Sequence, residues 1–456
     1  MSVPDASPEV ARRLAAPAPA ARRRGRLFAL LAGLLLAAVA AEIWRKGVLL
    51  RPDSRSYMWA AIHRTAAYPA LIELVRRLVG PALLPTLVAV QSALGLASAT
   101  VLALHLRRRF ALGVPSALTV LAVLLSPYWV LWVGNLVLAQ ALAYPLFLLA
   151  LRFLIAGTLD GRDRDLALYF VLAAFTLLAR PQFLFLHAVS LVVIVAVASS
   201  RRGWRRNLPL VALFAASLLI APLADRTWRW WRHGTFAGLP YAGHQLIAGA
   251  LYVSDAEDAA LFSGPTRELY EAMHGAAVSQ RLVARDDNRP PWRPLPGLGL
   301  PLYRIEHFRF VYNKLAWQEA FNLASQKFCP GCPPAAAFLA IDPPLREIAF
   351  GILRAHPGRW LLLYLSNLLA TTGPTEWLLI GLFFAAAAAR VRRGPDPAAR
   401  ALLLATVVHV ANLGLVAVVE PELDRYTFPT AVAWLALAVV FLRSVAVGPP
   451  SAPPEP

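Results

Sequence analysis

The feature that most restricts this chain is a succession of apolar runs, each roughly 15 to 20 residues long and nearly free of charge. That length matches the hydrocarbon thickness of a bilayer. In lipid, every backbone N–H and C=O must be satisfied within its own segment, so such runs are helices. A soluble core of this size would instead show apolar residues recurring at a period of 3.6 or 2. Composition agrees. Of the 456 residues 58% are hydrophobic and 16% charged, with mean hydropathy +0.55, whereas soluble domains carry about a quarter charged residues. The expected fold class is an all-α polytopic membrane protein.

The net charge of +19 raises the question of nucleic acid, but the charges are placed otherwise. Arginines gather in short loops: Arg22, Arg23, Arg24 and Arg26; Arg107, Arg108 and Arg109; Arg201, Arg202, Arg205 and Arg206; Arg390, Arg392 and Arg393. That is the positive-inside pattern, which fixes topology, and no nucleic-acid-binding module accompanies it. The expectation is no nucleic-acid partner.

With those clusters on the cytoplasmic side, ten spans follow, near 27–43, 83–106, 112–127, 136–156, 166–179, 183–199, 208–224, 375–390, 401–418 and 429–446. Residues 1–26 form a basic, disordered cytoplasmic tail, and 27–224 a membrane domain. Its first outer loop, 45–81, ends in an interfacial helix, since Leu71, Leu74, Val75 and Leu78 share one face while Arg76 and Arg77 oppose it. Ala38-Val39-Ala40 offers a signal-peptidase alternative that leaves the next segment outside all the same. Residues 225–357 form a small extracytoplasmic domain, in which Leu345 to His356 reads as a helix stopped by Pro357. Residues 358–446 carry an interfacial or re-entrant helix and the last spans, and 447–456 a Pro-rich tail.

Polar residues collect at the outer span ends: Asp53, Tyr57, Arg180, Glu376, Glu420, Glu422, Asp424 and Arg425. Ionisable groups so near hydrocarbon mark functional sites by default, although arginine and tyrosine also anchor interfaces by snorkelling. Asp53 and Tyr57, four residues apart, face the same way on a helix. A carboxylate there could take a proton from an acceptor hydroxyl, help typically worth about 10² to 10⁴ in rate. Equally, Asp53 before Ser-Arg-Ser-Tyr is a good helix N-cap. Arg180 and Arg425 could grip a phosphate through their planar forks.

Asp53-Ser-x-x-Tyr57, followed by Tyr68-Pro69-Ala-Leu-Ile, resembles the first outer loop of the GT-C glycosyltransferases, the superfamily of the protein O-mannosyltransferases and the lipid A aminoarabinose transferase. Leu-Leu-Ala-Arg180-Pro181 resembles a motif at the end of an inner span. Glu422-Leu-Asp-Arg425-Tyr426-Thr-Phe-Pro429 resembles a late signature, and Arg346-Glu347-Ile-Ala with Ile352-Leu-Arg-Ala-His356-Pro357 a helix before the later spans. The resemblance implies sugar transfer from a polyprenyl-phosphate donor to a lipid, glycan or protein acceptor on the outer face of a cell membrane, by inference a bacterial inner membrane. It implies Asp53 as catalytic base, Arg180 and Arg425 on the donor phosphate, and Tyr57, Tyr68, Glu376, Glu422 and Tyr426 around the substrate. The chain departs from the family in the loop at 126–135, which lacks the usual second acid; Gln140 stands where one often occurs. No cofactor is assigned, no metal ligand is named, and a divalent metal stays open because only Asp53 is well placed to bind one.

Two rival classes stand beside this: a flippase or transporter of a lipid-linked sugar, which would line a mid-membrane path with charge, and a catalytically decayed partner in envelope polysaccharide assembly. The partners expected are the polyprenyl-linked sugar and membrane lipids, with oligomeric state open. Cys329 and Cys332 are read as a local staple or as inert thiols. His409 is expected to bond to a neighbouring helix, and His244 and His307 to lie in solvated loops. The Trp residues at 228–231 are read as an interfacial belt.

Overall fold

A computed structural model describes residues 19–197, 203–284, 292–294, 301–303, 305–419 and 424–447. Its helices in chain order are α1 (Pro19–Lys46), α2 (Ser54–Met58), α3 (Ala67–Val79), α4 (Leu83–Arg109), α5 (Val114–Val130), α6 (Gln140–Asp160), α7 (Asp163–Ala179), α8 (Phe185–Val197) and α9 (Gly203–His233). A second group follows, α10 (Ala242–Val253), α11 (Gly264–Ser279), α12 (Ile305–Asn313), a π-helical stretch Lys314–Phe321, α13 (Asn322–Phe328), α14 (Pro334–Ala355) and α15 (Pro357–Ala370). The chain returns to long helices in α16 (Pro374–Arg393), α17 (Pro397–Val419) and α18 (Asp424–Val447). A short antiparallel pair, Trp292–Pro294 with Pro301–Tyr303, is the sheet among the described residues.

Among the described residues, seven helical stretches are long and apolar enough to cross a membrane: Arg22–Lys46, Ala67–Arg109, Gln140–Asp160, Asn207–His233, Pro374–Arg393, Pro397–Val418 and Arg425–Val447. Val114–Val130 and Pro181–Ala196 are shorter apolar helices. Seven of the ten stretches expected as spans overlap the long apolar helices and two overlap the shorter ones, while 166–179 lies on α7, which is in neither group. The stretch Ala67–Arg109 turns at Gly80, whose φ of +54° suits glycine. Ahead of that turn, Ile72 and Val75 are buried while Leu74 and Leu78 are exposed, so α3 keeps one apolar stripe for the protein and shows another outward.

Two cores result. The first joins α1, α4 to α9 and α16 to α18 around Val120, Tyr144, Phe147, Leu402 and Leu437. The second joins α10 to α14 around Leu251, Met273, Leu315 and Leu345. Helix α15 ties them together. Its Leu363 belongs to the second core, while Asn367 donates to the carbonyl of Ala417 in α17 at 3.2 Å.

Three expectations need correction. Helix α9 continues without a break from the apolar run through Asp225 to His233, so the second unit begins after Gly234 and not at 225. Helix α14 starts at Pro334, not after Pro344, and passes through Pro343 and Pro344. An interior proline costs about 3 kcal/mol, and packing of the buried Ile341, Leu345 and Ile348 against α10 outweighs it here. His244 is on α10 and almost fully buried, and His307 is on α12, bonded to the Tyr252 hydroxyl at 3.2 Å; neither is a solvated loop residue. Cys329 and Cys332 form a disulfide. Trp230 and Trp231 are exposed.

Candidate functional site

The site is built from the segment between α1 and α3. Where α1 ends, Leu49 pairs as an isolated bridge with Leu136, and the Asn135 amide donates to the carbonyls of Ile43 and Gly47 at 2.7 and 2.6 Å. The C-terminal end of the first helix is thereby fixed to the loop before α6. The chain then enters the short helix α2, with Asp53 at its N-cap position.

Asp53 does not cap. Its backbone is already α-helical (φ −68°, ψ −23°) and its side chain makes no capping bond. The carboxylate instead accepts from Arg64 Nη2 at 2.9 Å and from Arg425 Nη1 at 3.3 Å. Burial alone would raise its pKa, but the Arg64 and Arg425 guanidiniums outweigh burial and hold the carboxyl below the usual range. Arg64 also donates to Ser56 Oγ at 2.8 Å and to the Tyr57 hydroxyl at 3.4 Å, and lies 4.5 Å over the Tyr57 ring. The side chains of Asp53 and Tyr57 share Arg64 as a partner, and the Tyr57 N–H donates to the Asp53 carbonyl at 3.4 Å.

Arg180 reaches the same place from the end of α7. It donates to Gln140 Oε1 at 3.3 Å and to the carbonyl of Arg425 at 3.5 Å. Its guanidinium stacks 4.2 Å from the Tyr426 ring, against which Arg425 lies at 5.2 Å. One aromatic face system thus holds two cations close together. With Arg64, three guanidiniums and one carboxylate meet here among the described side chains.

A second layer fixes Arg425 and Tyr426. The carbonyl of Tyr426 accepts from the Gln182 amide and, at 3.0 Å, from Asn412 Nδ2. Asn412 also donates to Thr430 at 2.9 Å. The loop 59–66 is held from below: Ala66 N–H donates to Asp225 at 3.0 Å, and Arg229 of the Asp225–Arg229 pair donates to the carbonyl of Ile62 at 3.2 Å.

Of the residues expected around a substrate, the structure brings Asp53, Tyr57, Arg180, Arg425 and Tyr426 together. It does not bring Tyr68 or Glu376 to them as pocket groups. Tyr68 is fully buried behind Tyr57, edge-on at 5.5 Å, and bonds to Gln91 at 3.0 Å. Glu376 lies on His409 at 3.0 Å, and His409 in turn contacts Thr430 at 2.9 Å; the helix-to-helix role expected of His409 is what it has. Glu422 and Glu420 lie outside the described residues, as does the Asp424 side chain. Gln140, standing in for the absent acid, has become an acceptor for Arg180. Among the described residues, no group of three His, Cys, Asp or Glu side chains is positioned to hold a metal ion.

The residue sequence reasoning missed is Arg64, the nearer partner of Asp53. No local signal marks it, because Arg51, Arg55, Arg76 and Arg77 lie in the same segment. No protein-family model matches the chain, and no curated protein or solved structure matches it.

Proposed function

We propose that this chain is a ten-span glycosyltransferase of the GT-C type, using a polyprenyl-phosphate sugar on the extracytoplasmic face of a cell membrane, with the second helical unit shaping the acceptor site outside. The observation that carries the reading is the meeting of Asp53, Arg180 and Arg425, from the segment after α1, the end of α7 and the start of α18, in one cluster. Groups drawn from such distant parts of the chain, at the ends of apolar helices, suit a ligand that is anionic at one end and lipid at the other. Arginine is the residue for that anion because it pairs in a planar fork and keeps its charge.

In the proposed step, an acceptor hydroxyl attacks the anomeric carbon as the bond from that carbon to the phosphate oxygen breaks. Asp53 takes the hydroxyl proton. The polyprenyl phosphate leaves as the anion that Arg180 and Arg425 stabilise, each such contact being worth about 10² to 10³ in rate when it strengthens in the transition state. The Asp53 carboxylate now occupies Arg425 as a phosphate oxygen would. A donor phosphate that takes over Arg425 withdraws one of the two charges that suppress Asp53, so donor binding itself restores basicity. Purified protein given a polyprenyl-phosphate sugar should transfer sugar, and Asp53→Asn should abolish transfer with the thermal unfolding profile unchanged. Full activity in Asp53→Asn removes Asp53 as the base.

One observation favours a second reading, a partner protein in envelope polysaccharide assembly that binds the lipid-linked sugar without turning it over. Two guanidiniums hold Asp53 at once, which keeps its carboxylate occupied. That reading expects donor binding that depends on Arg180 and Arg425, with no product in any variant.

A further inference from the structure

The long helices end on the opposite side from Asp53 in a cleft of about 1550 Å³. Helix α18 measures the separation. Arg425 opens it beside Asp53, and Arg443, 18 residues on and so about 27 Å along the axis at 1.5 Å per residue, lines the cleft. The volume exceeds the roughly 300–1,000 Å³ of pockets for compact small molecules.

Its lining divides into two chemistries. Toward the middle of the helices it is apolar, with Leu382 and Ala386 of α16 and Phe441 of α18; at the helix ends stand Arg109, Arg390, Arg393 and Arg443. Two of the four arginines are neutralised within the protein. Arg109 pairs with Asp160 at 2.9 Å and Arg390 with Asp396 at 2.6 Å. Among the described residues, Arg393 and Arg443 have no carboxylate partner. The plain account of such arginines is topology, because positive charge gathers at cytoplasmic helix ends and favours helix C-termini. That account serves Arg390 and Arg393, which sit with Arg392 in the last turn of α16. It does not explain why Arg443, which belongs to no cluster, lines the same cleft as Arg393 above an apolar floor. A cleft that is cationic at the rim and apolar beneath, opening beside exposed Leu382 and Leu442, has the chemistry of a phospholipid: a phosphate at the arginines and acyl chains along α16 and α18.

We infer that this cleft binds an anionic phospholipid of the inner leaflet, with Arg393 and Arg443 on its headgroup phosphate. The site is separate from the Asp53 cluster and requires no sugar transfer.

The test uses the full chain purified in mild detergent and native mass spectrometry, with dioleoylphosphatidylglycerol, dioleoylphosphatidylcholine or inorganic phosphate added. Wild type should retain phosphatidylglycerol in preference to phosphatidylcholine, and inorganic phosphate should not displace it. Arg393→Gln with Arg443→Gln should weaken retention by about 30-fold, the loss of two arginine–headgroup contacts. Ala386→Trp, which fills the apolar floor and leaves every charge in place, should weaken it as well. Arg162→Gln with Arg164→Gln, exposed arginines outside the cleft, should leave it unchanged. Wild-type retention in both the double arginine variant and Ala386→Trp overturns the assignment. Equal retention of phosphatidylcholine, or displacement by inorganic phosphate, also overturns it, the first because the headgroup charge is not read and the second because the ligand is then phosphate alone.

Discussion

Thr65 donates its hydroxyl to the carbonyl of Ala179 at 3.1 Å, which fastens the loop carrying Arg64 to the chain one residue before Arg180. Two of the three guanidiniums are therefore spaced by a single buried bond. Thr65→Val keeps the shape and removes the donor. It should cost about 0.5–1.5 kcal/mol of stability and, on the transferase reading, raise KM for the polyprenyl-phosphate donor more than it lowers kcat, since it shifts groups that hold the donor. Thr65→Ser should restore KM. Equal loss of kcat in the valine and serine variants, with KM unmoved, would show that the bond does not position the phosphate site.

The ion pairs of Asp53 set a pH dependence whose sign follows from its lowered pKa. On the transferase reading the base must be ionised, so the acid limb of the rate profile should lie where Asp53 protonates, a pKa that the Arg64 guanidinium lowers. Removing Arg64 withdraws a charge that lowers the pKa, while the burial that raises it persists. Arg64→Gln should accordingly move the acid limb of kcat to higher pH. A profile that is unshifted, with transfer intact, would mean that the group titrating there is not Asp53.

The helices were legible because lipid imposes an unusually simple rule, that apolar runs of spanning length must be helical, and seven of the expected stretches overlap helices long and apolar enough to cross a membrane. Asp53, Arg180 and Arg425 stood out for a related reason, being charges at the edge of apolar segments. Arg64 did not, because it sits among polar residues in a chain with 45 lysines and arginines, where one more cation carries no local signal. Tyr68 and Glu376 show the converse limit. Position at a span end is readable from order along the chain, but whether a side chain turns to Gln91 or His409 depends on neighbours from α4 and α17. Pro343-Pro344 misled in another way. The local cost of proline in a helix is real, and only the tertiary packing of α14 on α10 shows that it is outweighed.

His63 and His244 give the protein a second acid sensitivity. His63 lies 4.3 Å from the Phe338 ring and His244 4.1 Å from Trp317. Burial pushes both down to about 3, against about 6.5 in an unfolded chain. A depressed histidine pKa means that the unfolded state binds the extra proton, so stability is complete above about pH 6.5 and falls as pH drops toward the folded value. At pH 5 each histidine should cost on the order of 1–2 kcal/mol. His244→Phe removes one of the two titrations and leaves a ring against Trp317. Its melting temperature should fall less between pH 7 and pH 5 than that of wild type, and a parallel fall in both proteins would count against this origin.

Gly243 sits where α10 crosses α14 at backbone contact. A Cβ there would stand 2.6 Å from the amide nitrogen of Arg346 and 2.6 Å from the carbonyl oxygen of Asp342, and the Gly243 N–H already donates to the Asp342 carboxylate at 2.8 Å. Backbone atoms cannot swing aside as a side chain can, so even one methyl group forces the two helices apart. Gly243→Ala should then lose about 1–3 kcal/mol to overpacking, despite the gain of up to about 1 kcal/mol that alanine brings inside a helix. The effect should appear as a lower melting temperature of the second helical unit. Gly249, on the same helix, meets only the ends of Leu363 and Phe308 at 3.7 and 4.0 Å, and Gly249→Ala should leave stability unchanged or improve it. Equal melting temperatures for Gly243→Ala and Gly249→Ala would exclude the close crossing.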